Sequence, residues 1–226
     1  MLRRFLMVRQ KLRDFYYVHV KNDQKNISFK QFQEKDGENL RLDYPLGRDA
    51  IVLDVGGYLG DFAADIVCKY GCRVIVFEPV GLYAEKISDR FKFNNSVIVV
   101  QAGLGGVERE DYITIAGMES GVFESKPESN SQKEKIKILS IVDYLKAQDY
   151  HRIDLLKINI EGGEYELMLS LLEHPELMNK IRFLQIQFHD FITDAVNLRN
   201  EIQEKLSETH QMMWEFPFIW ESWKVI

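Results

Sequence analysis

The sequence predicts a single α/β domain with a doubly wound, mostly parallel sheet of seven strands that ends in an antiparallel hairpin. Three observations support this fold class. Apolar runs begin at residues 51, 73 and 96 and alternate with helical segments, as in consecutive strand–helix–strand units. A glycine-rich loop follows the first run. Two aromatic-rich strand segments flank Pro217 near the end of the chain.

Strands of a parallel sheet that are buried on both faces are continuous apolar runs, and the chain supplies them in both halves. We expect strands at Ile51–Val55, Arg73–Phe77, 96–100, 154–160, 182–188, 211–216 and 219–226. The helices are expected at 62–70 (capped by Asp61), about 81–93, 139–148, Glu164–Leu172 and 194–207. Residues 117–137 are rich in Ser, Glu, Lys and Asn, which predicts a mobile surface loop that could act as a lid.

The segment before this domain is predicted to be a separate N-terminal unit, residues 1–46, that packs on a main domain of residues 47–226. Residues 1–20 have the spacing of an amphipathic helix with a basic face, which could contact a membrane surface, a substrate phosphate, the domain itself or a second subunit of a homodimer. Residues 21–46 are expected to be a short strand or an extended lead-in.

Length and composition narrow the class of protein. A chain of 226 residues suits one domain, and a net charge of −6 disfavours nucleic acid as a partner. No apolar run approaches the length of a transmembrane helix, and no signal peptide is evident. The two cysteines, Cys68 and Cys72, are four residues apart and are expected to pack as thiols on one helix face. These features predict a reduced, cytoplasmic protein.

The loop after the first strand carries the pattern Asp-x-Gly-x-x-x-Gly, formed by Asp54, Gly56 and Gly60. A glycine loop at a helix start lets the backbone approach a ligand closely. The dinucleotide pattern Gly-x-Gly-x-x-Gly fails here, because its first glycine would fall on Val55. The loop instead resembles that of the Rossmann-like class I methyltransferases, which bind S-adenosylmethionine. The candidate cofactor residues in this loop are Asp54, Gly56, Gly57, Tyr58, Gly60 and Asp61.

Residues at the ends of the next two strands extend this candidate cofactor site. Glu78 ends the second strand, followed by Pro79, and an acid at that place can accept hydrogen bonds from both ribose hydroxyls of an adenosine. Gln101 and Ala102 follow the third strand, where adenine is usually contacted. The alternative for Glu78 is a helix cap or a surface acid.

The fourth and fifth strands carry polar residues where a central strand is normally apolar. Because side chains alternate along a strand, each set of polar residues shares one face. We expect a polar wall at the carboxyl ends of these strands, where ligands of α/β proteins bind. Its residues are Lys157, Asn159, Glu161, Gln185, Gln187 and His189. The alternative is a buried network that only fixes the sheet register.

The run Leu156-Lys157-Ile158-Asn159-Ile160-Glu161-Gly162-Gly163-Glu164, together with the glycine loop and Phe77-Glu78-Pro79, resembles the FkbM-type methyltransferases over residues 45–226. Many members have Asp where this chain has Asn159. The later motifs 185–191, 209–210 and 220–223 are similar to a branch that we associate with surface-glycan gene clusters. The resemblance implies O-methylation of a sugar hydroxyl on a nucleotide-sugar or a polysaccharide precursor, with a small-molecule or glycan partner.

A sugar hydroxyl is a weak nucleophile, so methyl transfer to it needs a base or a metal ion. His189 is the first candidate base and Glu161 the second, either as base or as a partner of His189; Asn159 and Lys157 complete the candidate catalytic set. A divalent cation held by Glu161, Asn159 and His189 could serve instead, but so small a ligand set predicts no metal site. His151 and His210 are expected to be surface residues.

Three alternatives remain open at this point. One is a nicotinamide-dependent reductase, which the failed glycine spacing disfavours. Another is a methyltransferase acting on a small natural product, as in some family members. The third is a non-catalytic cofactor-binding module of a glycan-synthesis complex, to which Asn159 lends some support.

Overall fold

The computed structural model describes residues 24–115 and 132–226. The helices are α1 Gln24–Glu34, α2 Gly37–Leu40, α3 Asp61–Tyr70, α4 Gly81–Arg90, α5 Ile141–Ala147, α6 Glu164–Leu172, α7 Pro175–Met178 and α8 Ala195–Leu206. The strands are β1 Ile51–Val55, β2 Arg73–Phe77, β3 Val97–Val100, β4 Gly103–Gly105, β5 Arg109–Ile115, β6 Gln132–Ser140, β7 Leu155–Ile158, β8 Phe183–Ile186, β9 His210–Phe216 and β10 Trp220–Val225.

The main sheet has seven strands in the order β3-β2-β1-β7-β8-β10-β9. Strands β3, β2, β1, β7 and β8 are parallel, and the β9–β10 hairpin is antiparallel and joins the sheet through β8. The predicted fold class is therefore confirmed. The order reverses between β1 and β7, which makes the carboxyl ends of these two strands the switch point where α/β sheets bind ligands.

The core lies on both faces of β1, β2 and β7, whose apolar residues are almost entirely buried. Leu53 and Val55 face one apolar cluster with α5 and α6, while Val52 faces the other with α3. This double burial is why these strands are continuous apolar runs. It also fixes the register, which places Asp54 of β1 opposite Lys157 of β7.

Residues 24–40 form two helices, so the predicted strand or extended lead-in at 21–46 is wrong for these residues, whereas residues 43–47 have neither helix nor strand. Helix α1 is mostly polar and shows little helical periodicity in the sequence, but Phe32 is buried and its ring packs edge-on against Phe216, with centroids 5.3 Å apart. Phe32 belongs to a cluster with Phe216, Ile219 and Trp220, and such tertiary packing stabilises a helix whose own sequence is weakly amphipathic. The amphipathic helix predicted for residues 1–20 lies outside the described residues.

A small second sheet with the order β4-β6-β5 replaces part of the predicted loop 117–137. Residues 132–137 belong to β6, where Ile136 and Ile138 are buried and the intervening lysines face outward. Lys135 and Lys137 form ion pairs across to β5 and to Glu108. The high lysine content concealed a simple alternation of apolar and charged residues. Residues 116–131 are outside the described part of the chain, so the lid remains a prediction.

Two predictions on individual side chains are also wrong. Cys72 is buried as expected, but Cys68 is exposed. Helix α3 ends at Tyr70, and Gly71 (φ 64°) turns the chain, so Cys72 is not on the helix and the two thiols do not share a face. His210 is buried rather than superficial, and its Nε2 lies 2.9 Å from the carbonyl oxygen of Ile181. His151 is exposed, as predicted. Among the helices of residues 24–115 and 132–226, none is long and apolar enough to cross a membrane.

Candidate active site

The glycine loop between β1 and α3 is held tightly against two neighbouring strands. The amides of Gly56 and Gly57 donate to the carbonyl oxygen of Phe77 at 3.0 and 3.1 Å. Gly56 has a φ of 88°, and a Cβ added there would lie 1.9 Å from the carbonyl oxygen of Asn159. Only glycine fits this position. The contact brings the loop after β1 directly against the loop after β7.

Tyr58 and Glu78 close the loop on its other side. Tyr58 has a left-handed backbone (φ 49°), and its amide donates to Glu78 Oε2 at 2.8 Å. The amide of Val80 donates to Glu78 Oε1 at 2.9 Å. Burial raises the pKa of Glu78 to about 7, and the two amide hydrogen bonds only partly offset it. The Glu78 carboxyl group is therefore held at the strand end with a fixed orientation.

Asp61 departs from its predicted place as a helix cap. The N-cap residue is Gly60 (φ 78°), and Asp61 is the first residue of α3. Its exposed carboxylate lies 2.5 Å from Arg90 Nη1. In the structure Asp61 therefore forms a surface ion pair with α4 instead of capping α3.

The candidate adenine region lies at the start of α4. Ala102 is buried, and Gln101 approaches Gly81, where an added Cβ would lie 3.0 Å from Gln101 Nε2. Glu134 of β6 accepts a hydrogen bond from the amide of Gly81 at 2.9 Å. Pro79 lies close to Gly103, the first residue of β4. The second sheet therefore borders this region, and sequence analysis did not identify Glu134 because it lay in the predicted loop.

Below the loop, Lys157 and Asp54 form a buried ion pair. Lys157 Nζ lies 2.8 Å from Asp54 Oδ1 and donates to the carbonyl oxygen of Gly56 at 2.7 Å. Burial lowers the pKa of Lys157, and the neighbouring Asp54 opposes that shift. Asp54 Oδ2 and Asn159 Oδ1 are buried acceptors with no hydrogen-bond partner among the described residues. Unpaired buried acceptors beside a glycine loop fit a ligand that brings N–H donors.

The predicted polar wall divides into two parts. Gln185 lies away from the rim, where its Nε2 donates to Tyr44 and to the carbonyl oxygen of Arg41, and Tyr44 in turn contacts Ser222. This is the register-fixing network that was the alternative. At the rim the structure brings together Glu161 and His189, with Asn159 on the loop between β7 and Glu161 and Gln187 half-buried after β8.

His189 lies between two carboxylates. Its Nε2 is 3.3 Å from Glu161 Oε2, and its Nδ1 is 3.0 Å from Glu164 Oε1. Glu164 is fully buried and also accepts from the backbone amides of Gly162 and His189, each at 2.8 Å. Glu161 has a left-handed backbone with a φ of 49°, which non-glycine residues seldom adopt.

The charge state of His189 follows from these neighbours. Burial lowers its pKa, but the hydrogen bonds and charges of Glu161 and Glu164 outweigh burial and raise the pKa to about 9. The expected near-neutral pKa of a catalytic base is therefore not found in this conformation. Both ring nitrogens face carboxylates, so neither offers a lone pair to a cation. Within residues 24–115 and 132–226, no group of three or more His, Cys, Asp or Glu side chains is placed to hold a metal ion.

Two further features next to His189 were missed by sequence analysis. Lys25 of α1 lies 2.6 Å from Asp190, which brings the start of that helix to this edge of the sheet. Phe191 is about half exposed, and its ring centroid is 5.4 Å from that of His189. Lys25 is far from Asp190 in sequence and lies on a helix that was not predicted, so the sequence carries no signal of this contact.

A seven-stranded sheet in this order, with a glycine loop after β1 and an acidic residue after β2, defines a class I methyltransferase. Residues 54–218 match the family model described as the methyltransferase FkbM domain. The chain belongs to this family and is an S-adenosylmethionine-dependent methyltransferase. This result excludes the nicotinamide-dependent alternative.

Solved structures support the same fold. A candidate rRNA methylase from Clostridium thermocellum is 10% identical, with a TM-score of 0.52 over 86% of this chain and 95% of that one. A candidate methyltransferase from Streptococcus mutans, in complex with S-adenosylhomocysteine (SAH), is 11% identical, with a TM-score of 0.50 over 85% and 97% of the two chains. A sequence search of curated proteins finds no match.

Proposed function

We propose that the protein is an O-methyltransferase that acts on a sugar hydroxyl of a nucleotide-sugar or of a surface polysaccharide precursor in the cytoplasm. The observation that carries this proposal is the pair Glu161 and His189 at the rim of the sheet. Asn159, two residues before Glu161, packs directly against Gly56 of the glycine loop, so the pair lies near the proposed cofactor site. A hydroxyl acceptor needs such a group to remove its proton.

The cofactor is expected to bind across the ends of β1, β2 and β3, where it supplies a methyl group activated by a sulfonium. The glycine loop would contact its methionine portion, with the unpaired oxygens of Asp54 and Asn159 available to an ammonium group. Glu78 would accept hydrogen bonds from both ribose hydroxyls, and hydrogen bonds from two backbone amides already fix its orientation. The remaining contacts are assigned to Gly56, Gly57, Tyr58, Gly60, Pro79, Gln101 and Ala102, with Asp61 at the margin.

Phe191 supports a sugar as the acceptor. Its exposed ring stands beside His189 and offers an apolar surface for the C–H face of a pyranose. Lys25 and Asp190 lie on the same side and add polar groups. A methyltransferase for a small natural product would use the same base, whereas a non-catalytic module would need none of these groups near its cofactor.

The cofactor assignment is tested by titrating the purified protein with SAH in a calorimeter, with NADH as a control ligand. Loss of two hydrogen bonds to a charged carboxylate should weaken SAH binding by about 3 kcal/mol in Glu78→Ala. Glu85→Ala, which removes an exposed acid from the neighbouring helix, should bind as the unaltered protein does. Unchanged affinity in Glu78→Ala would remove the ribose assignment.

The acceptor is tested by incubating the protein with S-adenosylmethionine labelled in the methyl group and a panel of UDP-, GDP- and dTDP-sugars. Label transfer to a sugar, at an oxygen located by mass spectrometry, is the expected result. SAH binding without transfer to any sugar or to lipid-linked oligosaccharide would contradict the proposed acceptor class. Such a result would favour the natural-product or non-catalytic alternative.

A further inference from the structure

We propose that Glu161, and not His189, accepts the proton of the acceptor hydroxyl, and that Glu164 and His189 form a buried unit that holds Glu161 in place. The inference rests on the proposed O-methylation. It assigns a role to Glu164, for which the sequence analysis proposed none.

Glu164 is the fixed end of this unit. Its side chain is fully buried at the first residue of α6, and both of its oxygens accept backbone amide hydrogen bonds. Amide donors and a helix N-terminus stabilise the ionised form of a carboxylate. The third contact of Glu164 is His189 Nδ1 at 3.0 Å, which must therefore carry a hydrogen and donate it.

His189 transmits this orientation to Glu161. With Nδ1 committed to Glu164, only Nε2 is left, and it points at Glu161 Oε2, 3.3 Å away. The amide of His189 is bound to the same Glu164 oxygen as its ring, so the backbone and the side chain of His189 are fixed by one group. His189 is only 8% exposed, and an acceptor cannot reach either ring nitrogen without displacing a carboxylate.

Glu161 is the member of the unit that a substrate can reach. Its side chain is 18% exposed, against 0% for Glu164. Its backbone is left-handed (φ 49°), and such strain persists only where the surroundings enforce it. Because Oε2 faces His189, the second oxygen of Glu161 is the one that can accept a proton.

Three further polar groups lie near His189 or its backbone. Tyr165 of α6 donates its hydroxyl hydrogen to the carbonyl oxygen of His189 at 2.7 Å, and burial raises the pKa of Tyr165 well above its ordinary value. Asp190 follows His189 and is paired with Lys25 of α1, while Arg199 of α8 is paired with Glu221 and Glu215. The carboxylates in hydrogen-bond range of the His189 ring are Glu161 and Glu164, and both favour the imidazolium.

The proton balance of the reaction is then simple. The hydroxyl proton passes to the free oxygen of Glu161, and the acceptor oxygen forms its new bond to the methyl carbon. The bond between that carbon and sulfur breaks, and its electron pair remains on sulfur, which becomes a neutral thioether. Glu161 returns the proton to water at the exposed rim. His189 keeps its proton throughout and stabilises the Glu161 carboxylate before and after the step.

The protonation state is tested by histidine NMR on the full-length protein, labelled with ¹³C at the imidazole Cε1 and titrated between pH 5 and 10. The signal of His189, one of five histidines, is identified by its absence in His189→Gln. We expect it to remain imidazolium through neutral pH and to titrate near 9. Glu164→Gln should lower that midpoint by at least about one pH unit, and Glu164→Asp serves if the glutamine variant does not fold.

The matched control is Glu166→Gln, which removes a charge two positions along the same helix, from a residue paired with Arg109. It should leave the His189 midpoint unchanged. A wild-type midpoint at or below 6.5, or no difference between Glu164→Gln and the control, would overturn the proposal.

Turnover is measured on whichever sugar in the panel accepts the label. Glu161→Gln should lose at least about a hundredfold in kcat at every pH while its SAH affinity is unchanged. Retained turnover in Glu161→Gln would overturn its role as base. If no sugar accepts the label, the proposed function fails, but the NMR titration still decides whether His189 is free to act as a base.

Discussion

Two buried glutamates, one at each half of the site, are held in the same way but have different electrostatic surroundings. Glu78 follows β2 on the proposed cofactor side, and Glu164 follows β7 on the proposed acceptor side. Each accepts two backbone amide hydrogen bonds, at 2.8 and 2.9 Å for Glu78 and at 2.8 Å twice for Glu164. Backbone amides fix the direction of a carboxylate without supplying a full positive charge.

The difference lies in the next contact. Glu164 touches His189, which supplies a cation and is in turn stabilised by it. Within the described part of the chain Glu78 makes no ion pair, and burial raises its pKa to about 7. The comparison indicates that the proposed acceptor half, through His189, carries its own positive charge. The cofactor half instead presents a carboxyl group whose remaining bonds suit neutral hydroxyl donors.

The strongest way to break this comparison is to remove the carboxylate of Glu164. Glu164→Leu leaves the amides of Gly162 and His189 and the Nδ1–H of His189 without an acceptor in the core, which should cost about 3–5 kcal/mol of unfolding free energy. Urea denaturation measures it, with Glu201→Ala, an exposed acid on α8, as the control that should change stability by less than about 0.5 kcal/mol. A loss below about 1 kcal/mol would mean that burying the charge already cancels what its contacts contribute.

The pH dependence of stability should separate the two halves. The folded pKa of Glu78, about 7, lies above its ordinary 4.5, so its contribution is complete below 4.5 and is lost as the pH rises through 7. The folded pKa of His189, about 9, lies above 6.5, so its contribution is complete below 6.5 and is lost as the pH rises through 9.

Each loss should amount to about 3 kcal/mol at most, and each should disappear in the matching variant. Stability of the cofactor-free protein, measured by denaturation at half-unit steps from pH 5 to 9.5, should stop falling in the lower window in Glu78→Gln and in the upper window in His189→Gln. If either variant keeps the slope of the unaltered protein in its own window, the assigned pKa shift is incorrect.

The smallest change in stability is expected on substitution of Asp61. This residue shows what a solvent-exposed acid at the same edge of the sheet contributes, in contrast to the buried Glu78 and Glu164. Asp61→Asn breaks the ion pair with Arg90, whose members are 76% and 40% exposed, and should cost less than about 1 kcal/mol. Thermal unfolding at low and at physiological salt measures it, and the difference should shrink with salt. A larger loss of stability would mean that Asp61 stabilises the fold more than a 76% exposed side chain should.

Much of the frame could be predicted because it depends on local patterns. The parallel strands are continuous apolar runs, and the positions of Gly56 and Gly60 follow from a loop whose backbone must turn with positive φ. The polar rim at Glu161 and His189 followed from residue parity on two strands that proved to be neighbours. These inferences need only the period of a strand and the direction of a parallel sheet.

The rest depends on contacts between distant residues. Glu164 ends the run that resembles the FkbM-type family, but its partner does not follow from that run, because His189 is 25 positions later. Gln185 shared the parity of the rim residues but bonds inward to Tyr44 and Arg41, which lie just after α2, a helix that sequence analysis did not predict. The alternation of residues along a strand predicts which face a side chain is on, whereas its contacts depend on the three-dimensional fold.

The central pairing of β1 with β7 has a consequence for synthesis of the chain. Val52 pairs with Leu155, so one side of β1 has no partner until more than a hundred further residues have been made, whereas β2 and β3 follow at once. During translation the growing sheet therefore exposes a hydrophobic strand edge, the kind of surface on which unfinished chains associate. Strand β7, which brings the two halves of the site together, is also the strand that covers this edge of β1. Because β7 is made late, we expect aggregation of unfinished chains to compete with folding.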